Sequence, residues 1–299
     1  MQTGERKLTE TAKITEGMIE LYDDYTHRTL DRRRFVERLS RLAGGSAAAL
    51  AILPLLEADQ AAAAIIADDD SRLESATVAF AAPGGAMSGY FVTPKNADGK
   101  LPAVLVIHEN RGLNPHIEDV ARRVALAGFV ALAPDFLAPE GGTPSDPDQA
   151  REMIRALDGA ATVKNAVASV EYLKNSPTTS AKVGAVGFCW GGAVINILAT
   201  AIPTLDAGVA FYGRAPDSAL VPSIRAKMLL HFAGLDERVN KGVPGYRTAL
   251  DAAGVEYAIH MYDGVNHAFH NDTSAARYDK TAAELAWSRT IDFFKETLG

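Results

Sequence analysis

The chain carries a single cysteine, Cys189, set in the run Gly187-Phe-Cys-Trp-Gly-Gly192. An apolar, strand-like segment from Ala181 to Val186 precedes the run and a helix-like one from Ala193 to Ala201 follows it. A nucleophile lifted on a sharp strand-to-helix turn requires small residues two positions to either side, because the backbone crosses itself there. The thiolate is the reactive form, so such a cysteine needs a base or a lowered pKa. Two residues further along supply the remaining types in the order nucleophile, acid, histidine. Asp236, in Phe232-Ala-Gly-Leu-Asp236, ends the apolar segment Met228 to Phe232, and His267, in Gly264-Val-Asn-His267-Ala-Phe269, follows the segment Tyr257 to Tyr262. Together they could run acyl transfer: Cys189 attacks a carbonyl carbon, His267 acts as general base and later returns the proton, and Asp236 fixes the histidine tautomer and stabilises the imidazolium.

Each residue alone has a plainer reading. A free cysteine behaves as a small hydrophobe and can simply fill a tight turn, Asp236 can cap a turn, and a histidine can be structural. What separates the catalytic reading from these is the coincidence of three fitting types, each at the end of a strand-like segment, in the required order. Two other classes stay open: a binding or assembly protein that keeps the fold without catalysis, and a redox-sensing thiol, although the chain holds no second cysteine to resolve an oxidised one.

With 299 residues, 47% of them hydrophobic, the chain can bury one large domain, or one domain and an appendage. A formal net charge of −7 gives no basic footprint for nucleic acid. No metal site is expected: His108-Glu109 lacks a helical histidine partner, and His267 and His270 fall in a loop. No glycine-rich phosphate loop or dinucleotide fingerprint occurs, so no cofactor is expected. Ala81-Ala-Pro-Gly-Gly85 reads as a hairpin turn.

The elements that must position the candidates follow from about Thr77 onward. Ala76–Ala82 and Met87–Pro94 read as a hairpin. Ala103–His108, Phe129–Pro134, Ala181–Val186, Ala207–Tyr212, Met228–Phe232 and Tyr257–Tyr262 read as short strands, several apolar throughout as a sheet covered on both faces requires. Helical patterns alternate with them at Ile117–Ala127, Ala160–Lys174, Ala193–Ala201, Gly245–Ala253 and Ser274–Thr297. This predicts an α/β fold with a mostly parallel central sheet and helices on both faces over residues 71–299.

Residues 1–70 differ. Ile14, Met18, Leu21 and Tyr25 recur at helical spacing, as do Phe35, Leu39 and Leu42, with Asp31 placed to cap the second set. Two readings stand. Arg32-Arg33-Arg34-Phe35 before the uncharged run Leu42–Leu56 resembles a twin-arginine export signal, which would send the protein to the periplasm. Yet the first thirty residues carry six acids against four bases, whereas a signal is expected to open positively charged. The run would span only roughly 22 Å as a helix, short of the ~30 Å hydrocarbon core. The other reading is an N-terminal helical arm of a cytoplasmic protein, packed on the catalytic domain or on a second subunit of a homo-oligomer, with Gln60–Ser71 as a solvated linker.

Gly-Phe-Cys189-Trp-Gly-Gly, Gly-Leu-Asp236, Asn-His267-Ala-Phe and Val106-Ile-His-Glu109-Asn-Arg-Gly112 together resemble the dienelactone hydrolase (carboxymethylenebutenolidase) family, α/β-hydrolases with a Cys-His-Asp triad. The resemblance covers about Thr77 to Gly299. It implies a small-molecule ester or lactone substrate and an oxyanion hole formed by the backbone N–H of Trp190 and that of Asn110. It also implies that Glu109 takes up the thiol proton and couples activation to substrate binding; a surface ion pair with Arg111 or Arg122 is the alternative. In the family a serine and an arginine after the catalytic histidine hold the substrate carboxylate, where this chain has Ala268 and Asn271. The candidates for the substrate side are Arg111, Arg151, Tyr212 and Asn271, and the loss of the cation implies a preference for neutral esters or lactones.

Overall fold

The computed structural model describes residues 14–27, 30–57 and 64–299. The chain divides into two compact units, Met1–Asp59 with Thr273–Arg277, and Gln60–Asp272 with Tyr278–Gly299. Residues 60–63 of the expected linker lie outside the described residues.

The smaller unit holds three helices, α1 (Glu16–His27), α2 (Arg32–Leu42) and α3 (Ser46–Leu56). The helical spacing seen in the sequence is the buried face: Met18, Leu21 and Tyr25 of α1 meet Phe35 and Leu39 of α2 in one cluster. The Phe35 ring stacks on Tyr25 at 4.4 Å. Asp31 caps α2 by accepting from the Arg34 N–H, as its position promised. Leu42 departs from the pattern, because the helix ends there and the turn at Gly44 and Gly45, both at positive φ, leaves it exposed. The uncharged run folds mostly as α3, and no single helix among the described residues is long and apolar enough to cross a membrane.

The larger unit is built on one eight-stranded sheet. Its strands are β1 (Leu73–Ala82), β2 (Gly85–Pro94), β3 (Leu101–Ile107), β4 (Val130–Asp135), β5 (Thr179–Phe188), β6 (Ala207–Phe211), β7 (Lys227–Ala233) and β8 (Tyr257–Tyr262), in the order β1-β2-β4-β3-β5-β6-β7-β8. The hairpin β1–β2 turns through Pro83-Gly84, with Ala82 opposite Gly85, and pairs antiparallel to β4; every later pairing is parallel. The near-continuous apolar runs of β3, β4 and β6 are buried on both faces. Helices α4 (Pro115–Leu126), α5 (Pro147–Ala156), α6 (Gly159–Asn175), α7 (Trp190–Ala201), α8 (Glu237–Asn240), α9 (Val243–Ala253) and α10 (Lys280–Leu298) follow between and after the strands. Two apolar clusters, one holding Leu105, Ile195 and Leu230 and the other Val106, Val124 and Phe294, form the core.

The sequence pattern missed α5 because that helix buries only Ala150 and Ile154, too few to set a period, though Asp146-Pro147 is a legible N-terminus: Asp146 accepts from the N–H groups of Asp148 and Gln149. The last helix was placed too early. It begins at Lys280, capped by Asp279, and residues 274–279 are non-helical, with a turn at 275–277.

Candidate active site

The site lies at the C-terminal ends of the parallel strands, where an open α/β sheet offers its crevice. Cys189 follows β5 and precedes α7 with φ 56° and ψ −111°, a conformation an L-residue occupies only when its surroundings hold it. Its neighbours explain the small residues. A Cβ on Gly187 would stand 2.4 Å from the Gly191 carbonyl oxygen, and one on Gly191 would stand 2.5 Å from the carbonyl oxygens of Ile107 and His108. Two further non-glycine residues with positive φ lie at the same site, Tyr212 at 39° and Ala268 at 64°. Such strain clusters where geometry is over-determined by function.

His267 comes from the loop after β8 and Asp236 from the end of β7. His267 Nδ1 donates to Asp236 Oδ2 at 2.5 Å. The Cys189 Sγ lies within 4.8 Å of a nitrogen of the His267 ring, its charge acts on that ring, and the Tyr212 ring packs against the ring at 4.8 Å. Burial pushes His267 down, but the charges of Cys189 and Asp236 more than offset it and raise its pKa to about 10. Burial likewise opposes ionisation of Asp236, and His267 and Arg238 outweigh it, so the carboxyl titrates below its ordinary value. Arg238 Nη2 lies 3.3 Å from His267 Nδ1. That nitrogen already donates its proton to Asp236, so Arg238 acts there as a cation beside the carboxylate and not as a hydrogen-bond donor.

Glu109 is buried beside this group. Its Oε2 accepts from Asn271 Nδ2 at 2.6 Å, while Oε1 is buried with no hydrogen-bond partner among the described residues. Neither expected arginine pairs with it: Arg122 donates to the Ile66 carbonyl and to Tyr90, and Arg111 faces Asp148 at 3.6 Å. Arg151 faces the same carboxylate at 3.5 Å. Trp190 is the first residue of α7, so its N–H is one of those that a helix cannot satisfy internally. Asn110 lies in the loop after β3.

Sequence reading missed the residues that brace these loops. The His108 ring, stacked on Trp190 at 5.2 Å, bonds through Nδ1 to the Glu109 carbonyl at 2.6 Å and accepts the Phe136 N–H at Nε2. Farther along the same loop the Thr143 hydroxyl accepts from the Leu113 N–H at 3.0 Å and donates to Asp135 at 2.8 Å. Behind His267, Asp272 is paired with His116 at 2.9 Å and Arg123 at 2.6 Å. Burial raises the Asp272 carboxyl, but these two partners win and hold it well below the usual carboxylate range. The position of His108 at a strand end, next to Glu109, was the one available signal; the partners of Asp135 and Asp272 depend on tertiary contacts that no local pattern reveals.

A cysteine on a strained elbow, an Asp–His pair beside it and a helix N-terminus behind it fit the architecture of an α/β-hydrolase. Residues 87–298 match the family model of the dienelactone hydrolase family. A Methylorubrum extorquens protein assigned as a carboxymethylenebutenolidase is 32% identical over 283 residues, covering 90% of this chain and 94% of its own. Protein usf of Aquifex pyrophilus is 37% identical over 232 residues, covering 74% and 98%. The crystal structure of a protein from Klebsiella pneumoniae assigned as a dienelactone hydrolase is similar with a TM-score of 0.67 at 28% identity, covering 75% of this chain and 98% of its own. The chain belongs to the dienelactone hydrolase family, and with it to the hydrolases of carboxylic esters and lactones.

Proposed function

We propose that the protein is a thiol-dependent hydrolase in which Cys189, His267 and Asp236 act as nucleophile, general base and acid, and orienting carboxylate. The observation that carries this reading is the alignment of Asp236, His267 and Cys189, with the 2.5 Å hydrogen bond between the first two and the Cys189 sulfur within 4.8 Å of a ring nitrogen of His267. With substrate bound and the thiol proton passed to Glu109, the imidazolium of His267 pairs with the thiolate. Attack on the substrate carbonyl makes a thioester after the leaving oxygen takes the proton from the imidazolium, and water, deprotonated by His267, then releases the acid. The backbone N–H groups of Trp190 and Asn110 stabilise the tetrahedral oxyanion, each such donor being worth about 3 kcal/mol of barrier. Glu109, whose Oε1 has no hydrogen-bond partner among the described residues, takes the thiol proton when substrate enters.

The substrate is a small neutral ester or lactone. Asn271 gives its amide to Glu109, and Arg111 and Arg151 share the Asp148 carboxylate, so these candidates are committed to protein partners and not set out for a substrate anion. Alkylating the protein while following a chromogenic short-chain ester tests the reading: turnover should vanish in step with modification of Cys189, and turnover that survives complete alkylation would overturn it.

A further inference from the structure

His108 is buried, lies outside the Cys-His-Asp line, and has a defined protonation state. The Phe136 main chain has only an N–H to offer, so Nε2 must accept it. The Glu109 main chain has only a carbonyl to offer, so the proton must sit on Nδ1 and be donated across 2.6 Å. Burial, which pushes the His108 pKa down against the pull of Glu109 and Asp135, agrees with this neutral form. The Glu109 carbonyl and the Asn110 N–H belong to one peptide unit. No described peptide bond is cis, and a trans peptide is planar with C=O and N–H pointing in opposite directions. To fix one is to aim the other. The same imidazole lies flat against the Trp190 indole at an interplanar angle of 11°, and Trp190 carries the other N–H of the oxyanion hole as read above.

We propose that His108 is a positioning residue that orients the Asn110 N–H toward the oxyanion by clamping the carbonyl of the same peptide. The inference rests on Asn110 being an oxyanion donor. His108 acts through the backbone of residues 109–110. A misaimed donor costs in the transition state and little in the ground state, so its loss falls on kcat and not on KM.

Three substitutions separate the clamp from simple packing. His108→Asn places an amide N–H near the site of Nδ1 and keeps the bond to the Glu109 carbonyl while losing the one to Phe136. His108→Gln places its amide near the site of Nε2 and does the reverse. His108→Phe keeps the ring and loses both. Expected are a fall in kcat of about 10- to 100-fold in the Phe and Gln variants with KM within about threefold, a parallel weakening of inhibition by a trifluoromethyl ketone, and recovery of most of kcat in the Asn variant. Melting temperatures of all three, measured alongside, should not rank with kcat. Asn110→Pro, which deletes the N–H itself, should be at least as slow as His108→Phe. Wild-type kcat in Asn110→Pro would remove the donor on which the inference rests. A slow Asn110→Pro beside a folded His108→Phe with kcat within twofold of wild type would leave the donor standing and overturn the role of His108. Equal losses in the Asn and Gln variants would assign the effect to packing and overturn it as well. If the proline variant does not fold, the His108 variants decide the question alone.

Discussion

Asn271 and Glu109, 162 residues apart in the chain, share a buried hydrogen bond of 2.6 Å from the amide Nδ2 to the carboxylate Oε2. Helix α4 reaches the same loop from behind, through the pairs of His116 and Arg123 with Asp272. Asn271 is thereby fixed as the donor to a carboxylate whose second oxygen is buried with no hydrogen-bond partner among the described residues. Replacing it by alanine strips Oε2 of that donor while the carboxylate remains buried, a loss of about 1–3 kcal/mol. Asn271→Ala should lower both the melting temperature and kcat. A variant that melts and turns over like wild type would show that Glu109 does not depend on Asn271.

The same pairing bears on specificity. An amide cannot offer a carboxylate substrate the two-pronged cation of an arginine. Small neutral esters or lactones should exceed dienelactone in kcat/KM, and Asn271→Arg should move the ratio toward the anionic lactone by about one to two powers of ten, the value of roughly 1.5–3 kcal/mol for a charge-assisted contact. A wild-type preference for dienelactone of about tenfold or more would mean that another cation holds the anion.

The pH dependence follows from His267, whose pKa stands at about 10 against ~6.5 for an unperturbed imidazole. Since the folded state binds this proton more tightly than the unfolded state, the associated stability is complete below ~6.5 and is lost as pH rises through about 10. In turnover the imidazolium gives its proton to the leaving oxygen, so kcat/KM should fall on the alkaline side with a midpoint at about 10. Asp236→Asn removes an anion that favours the imidazolium, and the alkaline limb should move toward neutral pH. A limb that stays in place in this variant would contradict the coupling.

The elbow makes a prediction about folding. A Cβ on Gly191 would meet two carbonyl oxygens of the β3 end at 2.5 Å, and neither is the tip of a flexible side chain. Gly191→Ala should cost about 1–3 kcal/mol or more by overpacking, read as a lower midpoint in denaturant. An unchanged midpoint would mean that β3 and α7 can separate at no cost.

How far the sequence carried the description differs between elements. The eight strands could be read because a sheet covered on both faces needs apolar runs such as those of β3 and β6, and the elbow could be read because Gly187 and Gly191 answer to a backbone crossing that admits no side chain. Cys189, Asp236 and His267 could be read because each sits at a strand end. Helix α5 was not found because it buries one narrow stripe. The partner of Glu109 was not found because Asn271 offers no charge to suggest it. His108 was seen only as a failed metal ligand: its role depends on two main-chain partners, and main-chain partners leave no trace in residue types.

The central claim, a covalent intermediate on Cys189, is tested most directly by mass spectrometry of the enzyme quenched during turnover of a slowly hydrolysed aryl ester. An acyl adduct mapped to the peptide carrying Cys189 is expected in the wild type. No adduct is expected in a folded Cys189→Ala variant without esterase activity, and turnover should be poor in Cys189→Ser, whose hydroxyl is far harder to deprotonate than a thiol. An unmodified Cys189 in an enzyme shown to be turning over, or esterase activity that survives Cys189→Ala, would contradict the central claim.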